Sequence, residues 1–195
     1  MMTNQTLGRW GRPPARQCEY LVVSFSPFSA PLRQRWRNNG VSADFLGDYV
    51  KAFLPAEINH AEIQHAVAFV ANEFLENAMK YHECSVDIPI GLRLELTSEE
   101  IALTVSNSIG AAQAERYRDF VANMLSQDTG DLILARMEQG ADGSDESASG
   151  LGLLTMMSDY GVELGWRFEA QPDYPEMMTV TTSAVLNLTN PEGAA

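Results

Sequence analysis

The hydrophobic residues of this chain change their period between residues 82 and 88, from the spacing of a helix to that of a strand. Over residues 61–82 apolar side chains recur every three or four positions, which predicts one long amphipathic helix. Over residues 88–96 they alternate, which predicts a strand with one buried face. A second alternating run follows the turn at residues 98–100, so the two runs predict a β-hairpin.

The rest of the chain repeats these two signals on either side of the long helix and the hairpin. Further strands are predicted at residues 19–25, 162–168 and 180–188, and further helices at 31–40, 42–54, 111–139 and 151–160. The helix at 42–54 is assigned from the spacing of Phe45, Tyr49, Ala52 and Phe53. Helices segregated from a mixed, mostly antiparallel sheet favour an α+β fold, a two-layer α/β sandwich with helices on one face. We expect a flexible N-terminal arm over residues 1–17 and a single domain over residues 18–190.

Composition and charge exclude several classes of protein. The formal net charge of −13 argues against general nucleic-acid binding, because phosphate contacts need a basic surface. Cys18 and Cys84 are the two cysteines, and they form no CxxC spacing, so neither a disulfide framework nor a zinc site is expected. No apolar run is long enough for a signal peptide or a membrane span. We therefore expect a cytoplasmic protein without a membrane partner.

Three polar residues of the long predicted helix are spaced by four and three positions: Glu73, Asn77 and Lys80. At 3.6 residues per turn they form one polar stripe. A carboxylate can orient or deprotonate an attacking group, an amide oxygen can bind Mg²⁺, and an ammonium can neutralise phosphate. The stripe therefore fits a metal–nucleotide site with Asn77 as the metal ligand. The same spacing is also typical of a solvated helix face with intrahelical polar pairs.

Two glycines, Gly150 and Gly152, lie where an apolar helix is predicted to begin, directly after an acidic Gly/Ser-rich stretch. A helix N-terminus presents free N–H groups and a positive dipole end to anions. Glycine also permits close approach of a ligand to the backbone. The pattern favours a phosphate-binding turn, and the alternative is a helix start that is simply capped by Ser149.

At these two places the chain resembles a known superfamily. The run Glu73-Phe74-Leu75-Glu76-Asn77-Ala78-Met79-Lys80 is similar to the N-box of the histidine-kinase-like ATPases, the Bergerat-fold (GHKL) superfamily of gyrase, Hsp90, histidine kinases and MutL. The run Gly150-Leu151-Gly152-Leu153 is similar to their second glycine box. The resemblance covers residues 60–188 and implies the Bergerat fold with bound ATP and Mg²⁺.

The resemblance also implies a role for each motif residue. Glu73 corresponds to the general base or water-positioning residue, Asn77 to the Mg²⁺ ligand, and Lys80 to the basic residue that meets the phosphates. The run Gly150-Leu151-Gly152 corresponds to the turn that holds the nucleotide. Residues 108–149 correspond to the mobile lid that covers it.

A third motif of the superfamily, an Asp-x-Gly-x-Gly box after the second hairpin strand, is altered in this chain. Asn107 stands where the superfamily has the aspartate that accepts a hydrogen bond from the adenine amino group, and Ile109 replaces the first glycine. An amide oxygen also accepts this bond, but more weakly because it carries no charge. Both an active nucleotide site and a degenerate one are compatible with this box.

The context of the motifs narrows the function that the resemblance implies. None of the three histidines has the context of a phosphoacceptor, and we find no dimerisation helix pair upstream, which argues against a sensor histidine kinase. The chain resembles stand-alone members instead, the anti-sigma-factor serine kinases and SiaB-type kinases. They imply a regulatory serine/threonine kinase that acts on a small partner protein in bacterial-type signalling. The alternatives are a non-catalytic switch that sequesters such a partner, with a degenerate nucleotide site, and a simple ATPase.

The partner surface has one candidate in the sequence, the cluster Arg33/Arg35/Trp36/Arg37 before the ATPase core. The alternative is an Arg-rich helix end around one packed tryptophan, since long basic side chains cover apolar surface. A homodimer is also left open.

Overall fold

The computed structural model describes residues 4–10, 18–26, 39–140 and 150–188. Within these residues the chain forms six strands and five helices: β1 (Gln5–Gly8), β2 (Glu19–Phe25), α1 (Asn39–Lys51), α2 (His60–Tyr81), β3 (Ile90–Leu96), β4 (Glu100–Gly110), α3 (Ala111–Leu125), α4 (Thr129–Gly140), α5 (Leu151–Asp159), β5 (Glu163–Gln171) and β6 (Tyr174–Asn187). The Arg33/Arg35/Trp36/Arg37 cluster and its predicted helix up to residue 38 lie outside the described residues. Asn39 and Gly40, predicted as the end of that helix, instead begin α1.

The strands form a single open sheet in the order β1-β5-β6-β4-β3-β2. Each neighbouring pair is antiparallel. The register aligns the alternating apolar residues, so that Leu94, Leu103 and Ala184 lie side by side on one face. Because side chains alternate between the faces of a strand, this alignment gives one continuous apolar surface.

The helices pack on that apolar face, and their apolar residues join those of the sheet in one core. The opposite face carries polar side chains, among them Arg93, Thr104 and Ser183, which the register places side by side. This arrangement confirms the predicted two-layer α+β sandwich with helices on one face. It also shows that the sheet is antiparallel throughout its described strands.

Helix α2 is the centre of the helical layer. Its start is capped by Asn59, whose side chain accepts a hydrogen bond from the Glu62 N–H at 3.3 Å and donates to the Glu62 carboxylate at 3.2 Å. The first of these bonds satisfies one of the backbone N–H groups that the first turn of a helix leaves unpaired. Ala71 and Leu75 are fully buried, because α2 packs against α1 as well as against β4. Its bounds match the predicted helix to within one residue.

Helix α1 buries a different stripe from the one that the aromatic spacing indicates. The buried residues are Ala43, Leu46, Val50 and Leu54. Phe45 and Phe53 are exposed instead, at 52% and 45% of their surface. Phe45, Tyr49 and Phe53 contact one another along the outer side of the helix, with ring centroids 6.3 and 5.0 Å apart.

The N-terminal residues differ from the expected flexible arm. Gln5–Gly8 form β1, which pairs with β5 at one edge of the sheet. The backbone turns sharply at Gly8, with φ of 65°, and the Arg9 N–H then donates to the Leu164 carbonyl at 2.8 Å. A Cβ atom at Gly8 would lie 2.3 Å from that carbonyl oxygen. The segment Gln5–Gly8 has one aliphatic side chain, Leu7, so it shows no alternating pattern that would predict a strand from the sequence.

The predicted lid, residues 108–149, begins within β4 and continues as α3 and α4. The break expected near residues 128–130 lies between these helices, where the Asp128 carboxylate accepts from the N–H groups of Gly130 and Asp131 at 2.9 and 3.1 Å. Residues 141–149 lie outside the described part of the chain. Among the described residues, no helix has the length and apolar character needed to cross a membrane.

Candidate functional site

A cavity of about 530 Å³ lies between the helical layer and the sheet. Its walls come from α2, α3, the start of α5 and the central strands β4 and β6. The lining residues are Phe74, Asn77, Ala78, Tyr81, Val105, Asn107, Ile109, Gln113, Arg116, Tyr117, Phe120, Gly150, Leu153, Val180 and Thr182. A volume of this size is typical of small-molecule sites, as are mostly apolar walls with a few polar groups.

Three of the predicted site residues meet in this cavity: Asn77, Asn107 and Gly150. Asn77 projects from α2 beside Phe74 and Ala78. Asn107 is buried near the end of β4, directly opposite Val180 of β6. Gly150 precedes α5 with φ of 90°, a left-handed conformation that glycine adopts without strain, and its carbonyl accepts the first helical hydrogen bond, from Leu154, at 3.2 Å. The two motifs and the altered glycine box therefore share one cleft.

Glu73 and Gly152 form a second contact of α2 with α5, beside the cavity. A Cβ atom at Gly152 would lie 2.0 Å from the Glu73 Oε2 atom and 2.6 Å from its Cδ atom. The carboxylate therefore lies against the first turn of α5, where the helix dipole favours a negative charge. Burial raises the pKa of Glu73 above its ordinary value, and the charge of Glu76 raises it further.

Two further predicted site residues, Lys80 and Leu151, do not line the cavity either. Lys80 is exposed, and its Nζ atom lies 5.1 Å from the centre of the neighbouring Tyr81 ring. Tyr81 itself lines the cavity, whereas Lys80 does not. Leu151 is half-buried at the first position of α5. Their roles at a nucleotide stay predictions.

Helix α3 contributes four lining residues that were not among the predicted site residues: Gln113, Arg116, Tyr117 and Phe120. They are spaced at three and four positions, so they lie on one face of the helix. A mixed polar and aromatic face within the predicted lid is the sequence feature that could have indicated these four residues as part of the site. Arg116 places a positive charge at the cavity wall.

Tyr117 reaches across the cavity to the sheet. Its hydroxyl oxygen accepts a hydrogen bond from the Trp166 Nε1–H at 2.9 Å. Burial raises the pKa of Tyr117, and the hydrogen bond from Trp166 opposes that rise only in part. The phenol is therefore neutral throughout the physiological pH range.

Phe120 lies on the turn before α5. A Cβ atom at Gly150 would be 2.6 Å from the Phe120 Cζ atom, so the ring fits only because that residue is glycine. The Tyr117 and Phe120 rings are stacked with centroids 6.3 Å apart. Together the two aromatic residues connect α3 to both the sheet and the glycine turn.

The polar groups of the cleft suit a ligand with a flat ring at one end and anionic groups at the other. Asn107 and Thr182 are the amide and hydroxyl groups on the sheet side, among Val105, Ile109 and Val180. Asn77, Arg116 and the glycine turn form the opposite part of the wall. An amide oxygen, a guanidinium and backbone at a helix start are groups that bind a metal and phosphates. The residues present therefore fit Mg²⁺ and a nucleotide.

The fold of this chain also occurs among solved structures. The chain is similar to a chain in the crystal structure of the SiaB–SiaC complex from Pseudomonas aeruginosa, with 16% sequence identity and a TM-score of 0.51. The match covers 84% of this chain and 89% of the other. The two share a fold. No protein-family model and no curated protein sequence matches this chain.

Proposed function

We propose that this chain is an ATP-binding regulatory protein, a kinase that phosphorylates a serine or threonine of a small partner protein. The observation that carries the proposal is the shared cleft of Asn77, Asn107 and Gly150, with Glu73 and Gly152 in contact beside it. These residues come from three separate parts of the chain. Their convergence supports a common ligand over the alternative of a solvated helix face.

The sheet side of the cleft is the proposed base-binding end. Its amide and hydroxyl groups, Asn107 and Thr182, would pair with the edge of an adenine. The apolar side chains of Val105 and Val180 would contact the flat faces of the ring. A neutral amide binds less strongly than a carboxylate, so adenine recognition here relies more on ring contacts.

The α2 and α5 side of the cleft is the proposed phosphate-binding end. Asn77 would hold Mg²⁺, which when bound neutralises charge on the phosphates. The turn at Gly150 would offer backbone N–H groups to the phosphates. Arg116 lines the cleft whereas Lys80 is exposed outside it, so Arg116 is the better-placed cation for the triphosphate.

Glu73 would act on the attacking hydroxyl of the partner protein. Its carboxylate would take the hydroxyl proton as the new oxygen–phosphorus bond forms and the bond between the γ-phosphorus and the β–γ bridging oxygen breaks. A raised pKa makes a carboxylate a stronger base, which suits this role. Phosphoryl transfer depends mainly on positioning and charge neutralisation, so this small set of groups is sufficient.

A protein partner is supported by the similar solved structure, which is titled as a complex of SiaB with SiaC. The fold of the present chain is thus one that occurs in a two-protein assembly. We extend this to a small regulatory protein as the substrate.

A second candidate function, a non-catalytic switch that sequesters its partner, is favoured by the altered glycine box. Ile109 is buried and lines the cleft where the superfamily has a glycine, so its side chain takes up space at the wall. The two functions make the same prediction for partner binding. They differ in phosphate transfer.

The test begins with titration calorimetry of ATP in the presence of Mg²⁺ or EDTA. We expect Asn77→Ala to weaken ATP binding at least about tenfold with Mg²⁺ and little with EDTA, because a metal ligand is lost. Asn72→Ala is the matched control, since Asn72 is on the same helix and its amide donates to Glu76 at 2.9 Å, away from the cleft. Equal affinities of the two variants with Mg²⁺ would contradict the metal role.

Labelled ATP then separates the candidate functions. Incubation of the protein with [γ-³²P]ATP and a cell extract should label one small protein, and Glu73→Gln should abolish that label. ATP binding without any labelled protein would support the non-catalytic switch. Phosphate release without an extract would indicate a simple ATPase.

A further inference from the structure

We infer that the base-binding end of the cleft accepts guanine as well as adenine, so that the chain binds both purine nucleoside triphosphates. The inference rests on the proposed nucleotide site and names the class of ligand that this site takes. The residue that decides it is Asn107, whose side-chain amide lies at the wall of the cavity.

Asn107 projects from the sheet side of the cleft. It lies on β4 between Val105 and Ile109, which are two positions away on either side and share its face of the strand. The register places it opposite Val180 of β6, which also lines the cavity. Only 8% of the Asn107 surface is exposed, so its amide is a polar group flanked by apolar side chains.

In the part of the chain that the structure describes, no hydrogen bond holds the Asn107 amide in one orientation. The amide is not sealed in the core either. Among the described residues, the buried side-chain atom that lacks both solvent contact and a hydrogen bond is the His82 Nε2 atom. The Asn107 amide is therefore open to the cavity that the residue lines. Asn72 shows the contrasting case, since its amide donates to the Glu76 carboxylate at 2.9 Å.

A side-chain amide presents a hydrogen-bond acceptor and a donor side by side. Adenine offers the N6 amino donor beside the N1 acceptor, and guanine offers the O6 acceptor beside the N1–H donor. The two purine edges therefore need the same pair of groups in opposite order. Rotation of the amide by about 180° exchanges the two groups, and the torsion concerned is broad and roughly two-fold. Because no protein hydrogen bond fixes it, the amide of Asn107 matches either base.

The other groups of the lining do not select between the two purines. Val105 and Val180 would contact the ring faces, which adenine and guanine share, and the Thr182 hydroxyl both donates and accepts. Arg116 is the charged residue among the described lining residues, so no carboxylate of the lining opposes the guanine O6 atom. A site rejects a related ligand strongly when that ligand leaves a buried polar group unpaired. Both purines pair with Asn107, so this source of selectivity is absent.

The experiment is titration calorimetry of ATP, GTP and CTP with Mg²⁺. We expect the unmodified chain to bind ATP and GTP with affinities within about fivefold of each other, the factor that corresponds to one hydrogen bond. CTP shares the donor and acceptor order of adenine but has a single ring. It should bind at least about fivefold more weakly than ATP, because less apolar surface is buried.

Asn107→Asp tests whether this residue reads the base. A carboxylate accepts but does not donate, so the guanine O6 atom would face a second acceptor where adenine offers its amino group. We expect the ratio of the two affinities to shift toward ATP by at least about tenfold. Asn72→Asp is the matched control, since it makes the same change of charge on α2, away from the cleft.

The outcomes separate this inference from the proposed function. If ATP binds and GTP binds more than about fivefold more weakly, the inference fails and the nucleotide site stands. It also fails if CTP binds as tightly as ATP, or if Asn107→Asp moves the ratio no further than Asn72→Asp does. If none of the three nucleotides binds, both fail. Should Asn107→Asp not fold, Asn107→Ala decides: it should weaken ATP and GTP alike by at least about fivefold, and any other result contradicts the inference.

Discussion

At Gly152 the backbone of α5 leaves room for one neighbour, the carboxylate of Glu73. The sequence suggests that this glycine permits close approach of a phosphate. The structure adds a second reason, because a Cβ atom there would overlap the Glu73 carboxylate. The Glu73 carboxylate alone is therefore enough to require glycine at this position.

We predict that Gly152→Ala destabilises the fold by about 1–3 kcal/mol, the usual cost of overpacking. Gly40→Ala is the control, since among the described residues no atom beyond its chain neighbours and the local helix backbone lies within 4 Å of a Cβ atom there. Urea unfolding of both variants measures the difference. Adding Glu73→Ala to Gly152→Ala should recover most of the loss, because the overlapping carboxylate is gone. Equal stability of the two single variants would refute the contact.

The convergence of Asn77, Asn107 and Gly150 was implied by the resemblance to the superfamily, but the direction of the Lys80 side chain was not predictable. Phe74, Asn77, Ala78 and Tyr81 face the cavity. Lys80 is roughly 100° around the helix from Tyr81, since each residue advances about 100°. Glu73, Asn77 and Lys80 therefore form one stripe along α2, but the stripe lies at the border of the cavity and only Asn77 of the three lines it. Which side of that border meets the cleft depends on how α2 is rotated against the sheet, and no local pattern encodes this.

Among the elements, long periodic segments were predictable because burial of one face imposes the period. The strand β2 was predicted with its observed bounds, Glu19–Phe25, and the pair α3 and α4 with its break. Helix α1 was predicted as an element, but two apolar stripes run along it. Hydrophobicity alone does not distinguish the aromatic stripe at the surface from the aliphatic one beneath α2.

The two stripes of α1 predict losses of stability of very different size for two adjacent residues. Leu46→Ala should destabilise the fold by about 2–5 kcal/mol, because Leu46 is buried in the core. Phe45→Ala should change stability by no more than about 0.5 kcal/mol, as is usual for surface positions. Chemical denaturation of the two variants tests this. A larger loss for Phe45→Ala would show that the aromatic stripe is the one that packs inward.

On the scale of the whole molecule, the fold class was predictable and the strand order was not. Pairing of β4 with β6 joins segments that are far apart in the sequence, and it is this pairing that brings Asn107 beside Val180 and Val105 beside Thr182. The base-binding end of the cleft therefore depends on non-local contacts. The role of α3 as a wall has the same origin, because it depends on how the helix folds back over the central strands.

A ligand in this cleft contacts three helices and two central strands at once, so its binding requires the folded state. Linkage then predicts a stabilisation of about 2.7 kcal/mol at a ligand concentration one hundred times the dissociation constant. For a chain of this length we expect the melting temperature to rise by roughly 5–10 °C with ATP and Mg²⁺. Differential scanning fluorimetry measures the shift, and magnesium chloride alone serves as the control. At the same ligand concentration the rise should fall to about half or less in Asn77→Ala, because tenfold weaker binding leaves about 1.4 kcal/mol of stabilisation. An equal rise in that variant would mean that stabilisation comes from an anion bound elsewhere, because the cleft would have lost its metal ligand without consequence.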